Sequence, residues 1–192
     1  MGVMTYSQAG CLALRQEMET NEKVWALGED VGPEGGVAGQ YLGLQKIFGK
    51  ERIVDTPISE SMIMSAAIGS ALLGMRPVAE LRYADFALCA ADEIINQAAK
   101  VRYMLGGQVR VPMVIRQPIG MRWGMAAQHS QSNENLWIGT AGLVVVASAT
   151  PADNHGLLKA AIRCDDPVVF IDRKSTRLNS SHTDISRMPS SA

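Results

Sequence analysis

Apolar and polar residues follow one another along the chain in blocks that predict a parallel α/β domain. Short, nearly continuous apolar runs are typical of strands that are buried on both faces of a sheet. Because helical blocks separate these runs, the pattern predicts a three-layer α/β/α domain with a mostly parallel sheet. The predicted strands cover residues 23–28, 53–54, 78–82, 112–116, 143–147 and 167–171, and the predicted helices cover residues 6–20, 42–48, 60–73, 86–104 and 151–162.

The helix predicted over residues 60–73 is apolar or small on every face, so we expect it to be buried on all sides. Ser59 is its expected N-cap, since a serine hydroxyl can accept a hydrogen bond from the first turn. Glu60 would then lie at the mouth of a buried helix, where an unpaired charge is costly. Two interpretations follow: Glu60 stabilises the helix dipole by about 0.3–1 kcal/mol, or it faces a polar ligand atom. The local chemistry alone favours the first interpretation.

A long segment without clear periodicity, residues 117–135, predicts a functional loop, because simple connections are shorter. It contains His129 between Gln128 and Ser130. A single histidine is more often packed or exposed than catalytic, but these polar neighbours favour a functional role. Glu29 follows the strand at 23–28, at the end where open α/β sheets place their sites.

Composition narrows the class of protein. The chain has 192 residues, of which 47% are hydrophobic and 19% charged, with a formal net charge of −1. These values are typical of one soluble α/β domain. No apolar run reaches the ~18 residues of a membrane helix, and there is no secretory signal, no basic patch for nucleic acid and no metal-ligand spacing. The glycine-rich stretches match neither a dinucleotide fingerprint nor a phosphate-binding loop. Cys11, Cys89 and Cys164 lack a C-x-x-C spacing, which favours a reducing, cytoplasmic setting of bacterial type.

The last twenty residues break the pattern. Residues 173–192 are rich in serine and hold few apolar side chains, so they cannot build a core. Residues 174–182 closely resemble translated sequencing-adapter read-through, and a natural disordered tail is the alternative. We therefore expect residues 1–172 to form the domain and residues 173–192 to be a non-native tail.

Six motifs in order carry a family resemblance. They are Gly-Glu-Asp-Val-Gly at 28–32, Asp-Thr-Pro-Ile-Ser-Glu-Ser at 55–61, Gly-Met-Arg-Pro at 74–77, Asn-Gln-Ala-Ala-Lys at 96–100, Gln-His-Ser-Gln-Ser at 128–132 and Gly-Leu-Leu-Lys-Ala-Ala-Ile-Arg at 156–163. Together they resemble the beta subunit of the thiamine diphosphate-dependent decarboxylating component of 2-oxo acid dehydrogenase complexes. The motifs around Glu60 and His129 look more like the pyruvate and acetoin branches than the branched-chain branch.

In that family the beta subunit supplies the pyrimidine-binding domain, and an alpha subunit holds the diphosphate with Mg²⁺. The chain agrees, because no Gly-Asp-Gly followed by an asparagine-rich stretch is present to hold Mg²⁺. The resemblance implies that Glu60 faces the pyrimidine ring nitrogen and favours the imino form of the exocyclic amine. It further implies that Phe86 stacks on the ring, that Ile58 borders it and that Glu29 lies near the pocket. His129 would line the substrate channel and assist acyl transfer to a lipoyl arm.

The resemblance also implies partners and a structural potassium ion. The ion would be bound, by position, by Met113, Ala161, Ile162, Cys164 and Asp166. Cys164 stands where the family commonly has an oxygen side chain. The expected assembly is an α2β2 heterotetramer that serves a lipoyl acyltransferase component.

The family's C-terminal domain is missing, so we expect the chain to be the N-terminal half of such a subunit. The expected activity is oxidative decarboxylation of a 2-oxo acid, of the pyruvate or acetoin dehydrogenase type, with acyl transfer to a lipoyl group. Two alternatives stay open: a transketolase-type thiamine diphosphate enzyme, and a non-catalytic scaffold or partner-binding domain.

Overall fold

A six-stranded, all-parallel sheet forms the centre of the molecule, in a computed structural model that describes residues 4–120 and 124–173. The strand order is β2-β1-β3-β4-β6-β5, and every neighbouring pair is parallel. This confirms the predicted parallel α/β architecture. The strands are β1 (Val24–Gly28), β2 (Ile53–Asp55), β3 (Arg76–Glu80), β4 (Val114–Ile119), β5 (Val144–Ser148) and β6 (Val168–Arg173).

Helices cover both faces of this sheet. The helices are α1 (Tyr6–Thr20), α2 (Leu44–Phe48), α3 (Glu60–Leu72), α4 (Val101–Met104), α5 (Asn135–Ile138) and α6 (Pro151–Arg163). Helices α1 and α6 pack on one face, around Leu14, Val114 and Phe170. Helix α3 packs on the other face, where Met64 and Ile115 belong to a second apolar cluster. The two clusters make the three-layer arrangement expected from the sequence.

Capping residues set the starts of the two long helices on the first face. Thr5 accepts a hydrogen bond from the backbone N–H of Gln8, whose side chain in turn accepts from the backbone of Thr5. Thr150 and Asp153 form the same reciprocal pair, with Pro151 in the first turn of α6. Such boxes satisfy backbone donors that a helix start leaves unpaired.

The single helix predicted over residues 86–104 is wrong, because the chain is broken there into three shorter pieces. A 3-10 segment (Ala84–Ala90), a π-helical segment (Glu93–Ala98) and the short α4 follow one another. The physical reason is a spacing of three: Ala84, Ala87 and Ala90 are all fully buried. Residues three apart align in a 3-10 helix but not in an α-helix.

Helix α3 is buried on one face only, which corrects the expectation of burial on all sides. Ile63, Met64, Ala67, Ile68 and Ala71 are buried, whereas positions 62, 65, 66, 69 and 72 are exposed. When every face of a helix is apolar, the sequence does not show which face packs against the rest of the same chain. Ser59 is the N-cap residue, as expected, but its side chain makes no capping hydrogen bond.

Two further expectations concern the C-terminal tail and membrane-spanning helices. Strand β6 extends to Arg173, and the rest of the predicted tail, residues 174–192, lies outside the described residues. In the part of the chain that the structure describes, no helix is both long enough and apolar enough to cross a membrane.

Candidate active site

The residues predicted to serve the cofactor and the substrate lie along one edge of the sheet. All six strands are parallel, so their carboxyl ends share this edge, where open α/β sheets commonly bind ligands. Glu29 directly follows β1, and Glu60 begins α3 five residues after Asp55, the last residue of β2. The segment that carries Phe86 follows β3, and the loop that carries His129 follows β4.

The backbone at this edge is close-packed around the end of β1. A Cβ atom at Gly28 would lie 2.5 Å from the backbone oxygen of Glu80 in the neighbouring strand, so only glycine fits there. The backbone oxygen of Gly28 also accepts a hydrogen bond from the N–H of Thr56 at 3.0 Å. Asp30 has a left-handed backbone with φ of 58°, a conformation that Asp tolerates better than most residues. The turn therefore fixes where Glu29 and Asp30 point.

Three aromatic rings meet at this edge and form what we call the aromatic cluster: Tyr83, Phe86 and His129. The ring of His129 lies 4.9 Å from that of Tyr83 and 5.0 Å from that of Phe86, centroid to centroid. Both contacts are edge-to-face, with interplanar angles of 71° and 83°, the geometry that aromatic quadrupoles prefer. The structure thus brings together Phe86 and His129, which are distant in sequence.

Hydrogen bonds hold the loop of His129 against the 3-10 segment. The backbone N–H of Gln131 donates to the buried Asp85 carboxylate at 2.9 Å. The N–H of Gly120 donates to the backbone oxygen of Gln131 at 2.8 Å. Because Asp85 precedes Phe86 and Gln131 lies two residues after His129, these bonds place the two rings side by side.

Arg82 links the turn after β1 to the aromatic cluster. Its guanidinium forms ion pairs with Glu29, at 2.9 Å, and with Asp30. It also lies over the ring of Tyr83, 5.8 Å from the centroid. Burial alone would lower the pKa of Arg82, but the Glu29 carboxylate and Tyr83 raise it above its usual value. Arg82 therefore stays charged at this edge.

Sequence reasoning missed Arg82, Tyr83 and Asp85. Their position in the fold could have identified them. All three residues follow the carboxyl end of β3, which is the neighbour of β1 in the sheet. The edge rule that selected Glu29 applies equally to them once the strand order is known.

Glu60 is the first residue of α3 and is partly exposed. Within residues 4–120 and 124–173, no side chain or backbone group hydrogen-bonds to its carboxylate or pairs with it. The neighbouring Ser61 hydroxyl donates to the backbone oxygen of Cys89 at 2.6 Å, which ties the start of α3 to the 3-10 segment that carries Phe86. Ile58 is 72% exposed. The Glu60 carboxylate is thus open to a ligand or to another chain.

A buried ionic network lies on the face of the sheet that α1 and α6 cover. Arg116 in β4 is fully buried and donates to the Asp172 carboxylate, and it lies 3.7 Å from Glu80. The Tyr41 hydroxyl donates to Glu80 at 2.9 Å, and the Tyr6 hydroxyl donates to Asp172 at 2.6 Å. Burial and the neighbouring carboxylates raise the pKa of both tyrosines. The network joins strands β3, β4 and β6 just below the edge that carries the site.

The oxygens of the residues predicted to bind potassium already accept hydrogen bonds within the chain. The backbone oxygens of Ile162 and Cys164 both accept hydrogen bonds from Arg76 Nη1 at 2.9 Å. The remaining three oxygens also have donors: Met113 from Val168 N–H, Ala161 from Cys164 N–H, and the Asp166 carboxylate from Arg102. The guanidinium of Arg76 already supplies positive charge at this position. The described residues hold no cluster of three His, Cys, Asp or Glu side chains that could bind a metal.

Comparison with known proteins identifies the domain. Residues 3–177 match the family described as "Transketolase, pyrimidine binding domain". The chain is 47% identical over 174 residues to the 2-oxoisovalerate dehydrogenase subunit beta of Bacillus subtilis, covering 91% of this chain and 53% of that protein. It is 46% identical over 173 residues to the acetoin:2,6-dichlorophenolindophenol oxidoreductase subunit beta of Cupriavidus necator, covering 85% of this chain and 51% of that protein. It is 43% identical over 174 residues to the pyruvate dehydrogenase E1 component subunit beta of Rhizobium meliloti, covering 91% and 38%.

A solved structure supports the fold. The chain named "Split gene transketolase, inactive beta4 tetramer" superposes with a TM-score of 0.67 at 22% identity, over 88% of this chain and 51% of that one. The present chain spans about half the length of the first curated relatives that it matches. Since the branched-chain, acetoin and pyruvate relatives are 47%, 46% and 43% identical, identity does not separate the three branches. The expected closeness to the pyruvate and acetoin branches stays a prediction.

Proposed function

This chain belongs to the transketolase pyrimidine-binding domain family, and from that premise we propose that it is part of the beta subunit of a thiamine diphosphate-dependent 2-oxo acid dehydrogenase. The observation that carries the proposal is the Glu60 carboxylate, which begins α3 at the sheet edge that also carries the aromatic cluster and has no partner among the described residues. An open carboxylate and an aromatic cluster at one edge suit a flat, nitrogen-containing heterocycle.

The residues present fit the pyrimidine half of thiamine diphosphate. Glu60 supplies a hydrogen-bond acceptor, and Phe86 supplies a partly buried aromatic face at the same edge of the sheet. Ile58, two residues before Glu60, supplies an exposed apolar side chain. When bound, thiamine diphosphate supplies a nucleophilic thiazolium carbon and accepts the electron pair released with CO₂.

Glu60 would act by holding a proton at the pyrimidine ring nitrogen. A carboxylate hydrogen-bonded to that nitrogen favours its protonated form and thereby makes the exocyclic nitrogen a better base. A site that excludes water strengthens this interaction, because a low dielectric increases electrostatic energies. Phe86 and Ile58 would orient the ring.

His129 is proposed to act on the substrate rather than on the cofactor. An imidazole carries one nitrogen that can donate a proton and one that can accept it, which suits acyl transfer. The location of His129 in the loop after β4, beside Phe86, supports a place at the substrate entrance.

The diphosphate and its Mg²⁺ would be held by an alpha subunit in an α2β2 assembly, with a lipoyl acyltransferase component as the acyl acceptor. The names of the relatives support a beta-subunit role. The proposed substrates are 2-oxo acids of the pyruvate or acetoin dehydrogenase type, in a cytoplasmic setting.

The test is to combine the chain with the alpha subunit of a close relative, thiamine diphosphate, Mg²⁺ and an artificial electron acceptor. Pyruvate, 2-oxoisovalerate and acetoin are compared with a sugar phosphate ketose, the substrate class of a transketolase. Glu60→Gln should slow turnover by ~10²–10⁴-fold, because glutamine cannot hold the ring nitrogen in its protonated form. Glu19→Gln, at an exposed position near the C-terminal end of α1 and away from this edge, is the matched control.

Three results would contradict the proposal in different ways. Reaction with the ketose alone would favour the transketolase alternative, and no reaction with any substrate would favour the scaffold alternative. Equal rates for the parent and Glu60→Gln would leave Glu60 as a helix-dipole residue.

A further inference from the structure

Two of the residues assigned to the site, Glu29 and His129, are joined through two residues that have no assigned role. Glu29 pairs with Arg82 at 2.9 Å, and Arg82 lies 5.8 Å from the ring centroid of Tyr83. Tyr83 in turn contacts His129 at 4.9 Å between ring centroids. The series of contacts therefore runs from the end of β1, across the end of β3, to the loop after β4.

We infer that Arg82 and Tyr83 are positioning residues that fix the orientation of the His129 imidazole, and that Glu29 acts through Arg82 rather than on the cofactor. The inference rests on the proposed function for the role of His129. The positioning itself is a property of this chain and can be measured without cofactor or partner.

His129 needs such positioning because its own backbone gives it little. It ends a 3-10 turn of three residues (Ala127–His129) that follows Ala126, whose backbone φ is 59°. A residue in a short irregular turn has no helix or strand to restrict its side chain. The ring makes two edge-to-face contacts, to Tyr83 and Phe86, and rotation of the imidazole would lose both.

The two rings that contact His129, those of Phe86 and Tyr83, have different roles. Phe86 is proposed to face the pyrimidine, so its ring is shared between cofactor and histidine. Tyr83 also contacts Phe86, at 6.2 Å and 81° between ring planes, and thus supports both members of the pair. Because no cofactor contact is assigned to Tyr83, and its ring lies closer to His129 (4.9 Å) than to Phe86 (6.2 Å), its removal should disturb His129 more than the proposed cofactor contacts.

Arg82 can hold Tyr83 because its own guanidinium is fixed. Glu29 and Asp30 both pair with the same nitrogen, Nη1, and the left-handed backbone of Asp30 sets where its carboxylate points. A guanidinium held in this way presents its face to the tyrosine ring. Glu29 is therefore engaged with Arg82, which gives this acid a function that needs no contact with the cofactor.

The experiment compares Tyr83→Leu, which removes the ring, with Tyr83→Phe, which keeps it. Tyr103→Leu is the control, because Tyr103 is 89% exposed and lies near the opposite edge. The first readout is the NMR signal of the His129 imidazole in the isolated, isotope-labelled chain. The sequence has three histidines, so His129→Gln identifies the signal. We expect Tyr83→Leu to shift this signal, and Tyr83→Phe and Tyr103→Leu to leave it nearly unchanged.

The second readout is transfer to a lipoyl acceptor in the reconstituted complex. We expect Tyr83→Leu to lower kcat for this transfer about 10- to 100-fold, because small misplacements of a reacting group have effects of this size. The KM for thiamine diphosphate should stay near the parent value. Tyr83→Phe should restore most of the rate, and Glu29→Gln should give a smaller loss than Tyr83→Leu.

The two readouts separate failure of this inference from failure of the proposed function. An unshifted His129 signal in a folded Tyr83→Leu chain would overturn the positioning role, whatever the activity. So would equal losses in Tyr83→Leu and Tyr83→Phe, since the hydroxyl and not the ring would then matter. If Tyr83→Leu does not fold, Arg82→Met gives the same test, and an unshifted signal there is equally decisive. A shifted signal in a complex that is inactive throughout would support positioning and count against the proposed function alone.

Discussion

Replacing Arg76 with methionine tests whether this side chain is the built-in cation at the C-terminal end of α6. Arg76 is the first residue of β3, and its side chain is 21% exposed. Nη1 donates to the backbone oxygens of Ile162 and Cys164, and Nη2 donates to the Asp165 carboxylate at 2.6 Å. The last carbonyls of a helix have no partner within the helix and carry a partial negative charge.

The expected loss is about 2–3 kcal/mol. Hydrogen bonds that involve a charged group are worth about 1.5–3 kcal/mol each when buried. Two of the three bonds go to helix carbonyls, which water can partly satisfy once the guanidinium is gone, and Arg110 still pairs with Asp165. Methionine keeps most of the apolar stem. For a chain of this size, a loss of that magnitude lowers the melting temperature by about 4–12 °C.

Urea unfolding followed by circular dichroism measures the free energy of unfolding. The matched control is Arg15→Met, which removes an exposed i,i+4 pair with Glu19 and should cost about 0.3–0.5 kcal/mol. If Arg76→Met costs no more than this control, Arg76 is an ordinary surface residue and the argument fails.

The same experiment in KCl and NaCl at equal ionic strength tests the potassium prediction. The parent should unfold at the same urea concentration in both salts, because the five predicted ligand oxygens already have donors. A saturable increase in stability that is specific to K⁺ would restore the predicted site and show that the oxygens are shared with an ion.

Two further predictions concern charge. Arg116→Met should cost about 3–5 kcal/mol in urea unfolding, because it leaves the buried Asp172 carboxylate without its cation; a loss below that of Arg15→Met would show that the carboxylate is neutral in the folded state. The hydrogen bond from Arg76 holds the pKa of Asp165 below its usual value, despite an opposing effect of burial. The stabilisation that the Arg76–Asp165 ion pair gives to the folded state should therefore be present above the ordinary Asp pKa of about 3.9. It should be lost as the pH falls through the lowered pKa of Asp165. The difference in unfolding midpoint between the parent and Arg76→Met should narrow over that range, and a constant difference would argue against the ion pair.

The sequence predicted the sheet well because a buried parallel strand leaves a local signal. The apolar run at 167–171, for instance, lies in strand β6 with a shift of one residue at its start, and the first five residues of that strand are buried. The segment 86–104 shows where the signal fails. Alanines every three residues and apolar residues at helical spacing look alike over short stretches, so a 3-10 segment was predicted as part of an α-helix.

The candidate site was predictable only in its separate parts. Glu29, Glu60, Phe86 and His129 were found from motifs and from their places at strand ends. Their connections depend on strand order, since Glu29 and Arg82 become neighbours only because β1 lies next to β3. No local pattern encodes that adjacency, so the role of Arg82 could not be predicted from the sequence.

Helix α3 shows that a hydrophobic pattern can describe an assembly rather than a chain. Its composition predicts burial on every side, yet Met62 and Leu72 are 42% and 38% exposed. The same helix begins with Glu60, whose carboxylate has no partner in the described part of the chain. Under the proposed function both features have one cause, because an alpha subunit would cover the open face and bring the diphosphate half of the cofactor to Glu60. The burial predicted for α3 on every side would then hold in the heterotetramer but not in the beta chain alone. An apolar sequence predicts that a helix is buried, but not whether its own chain or a partner chain buries it.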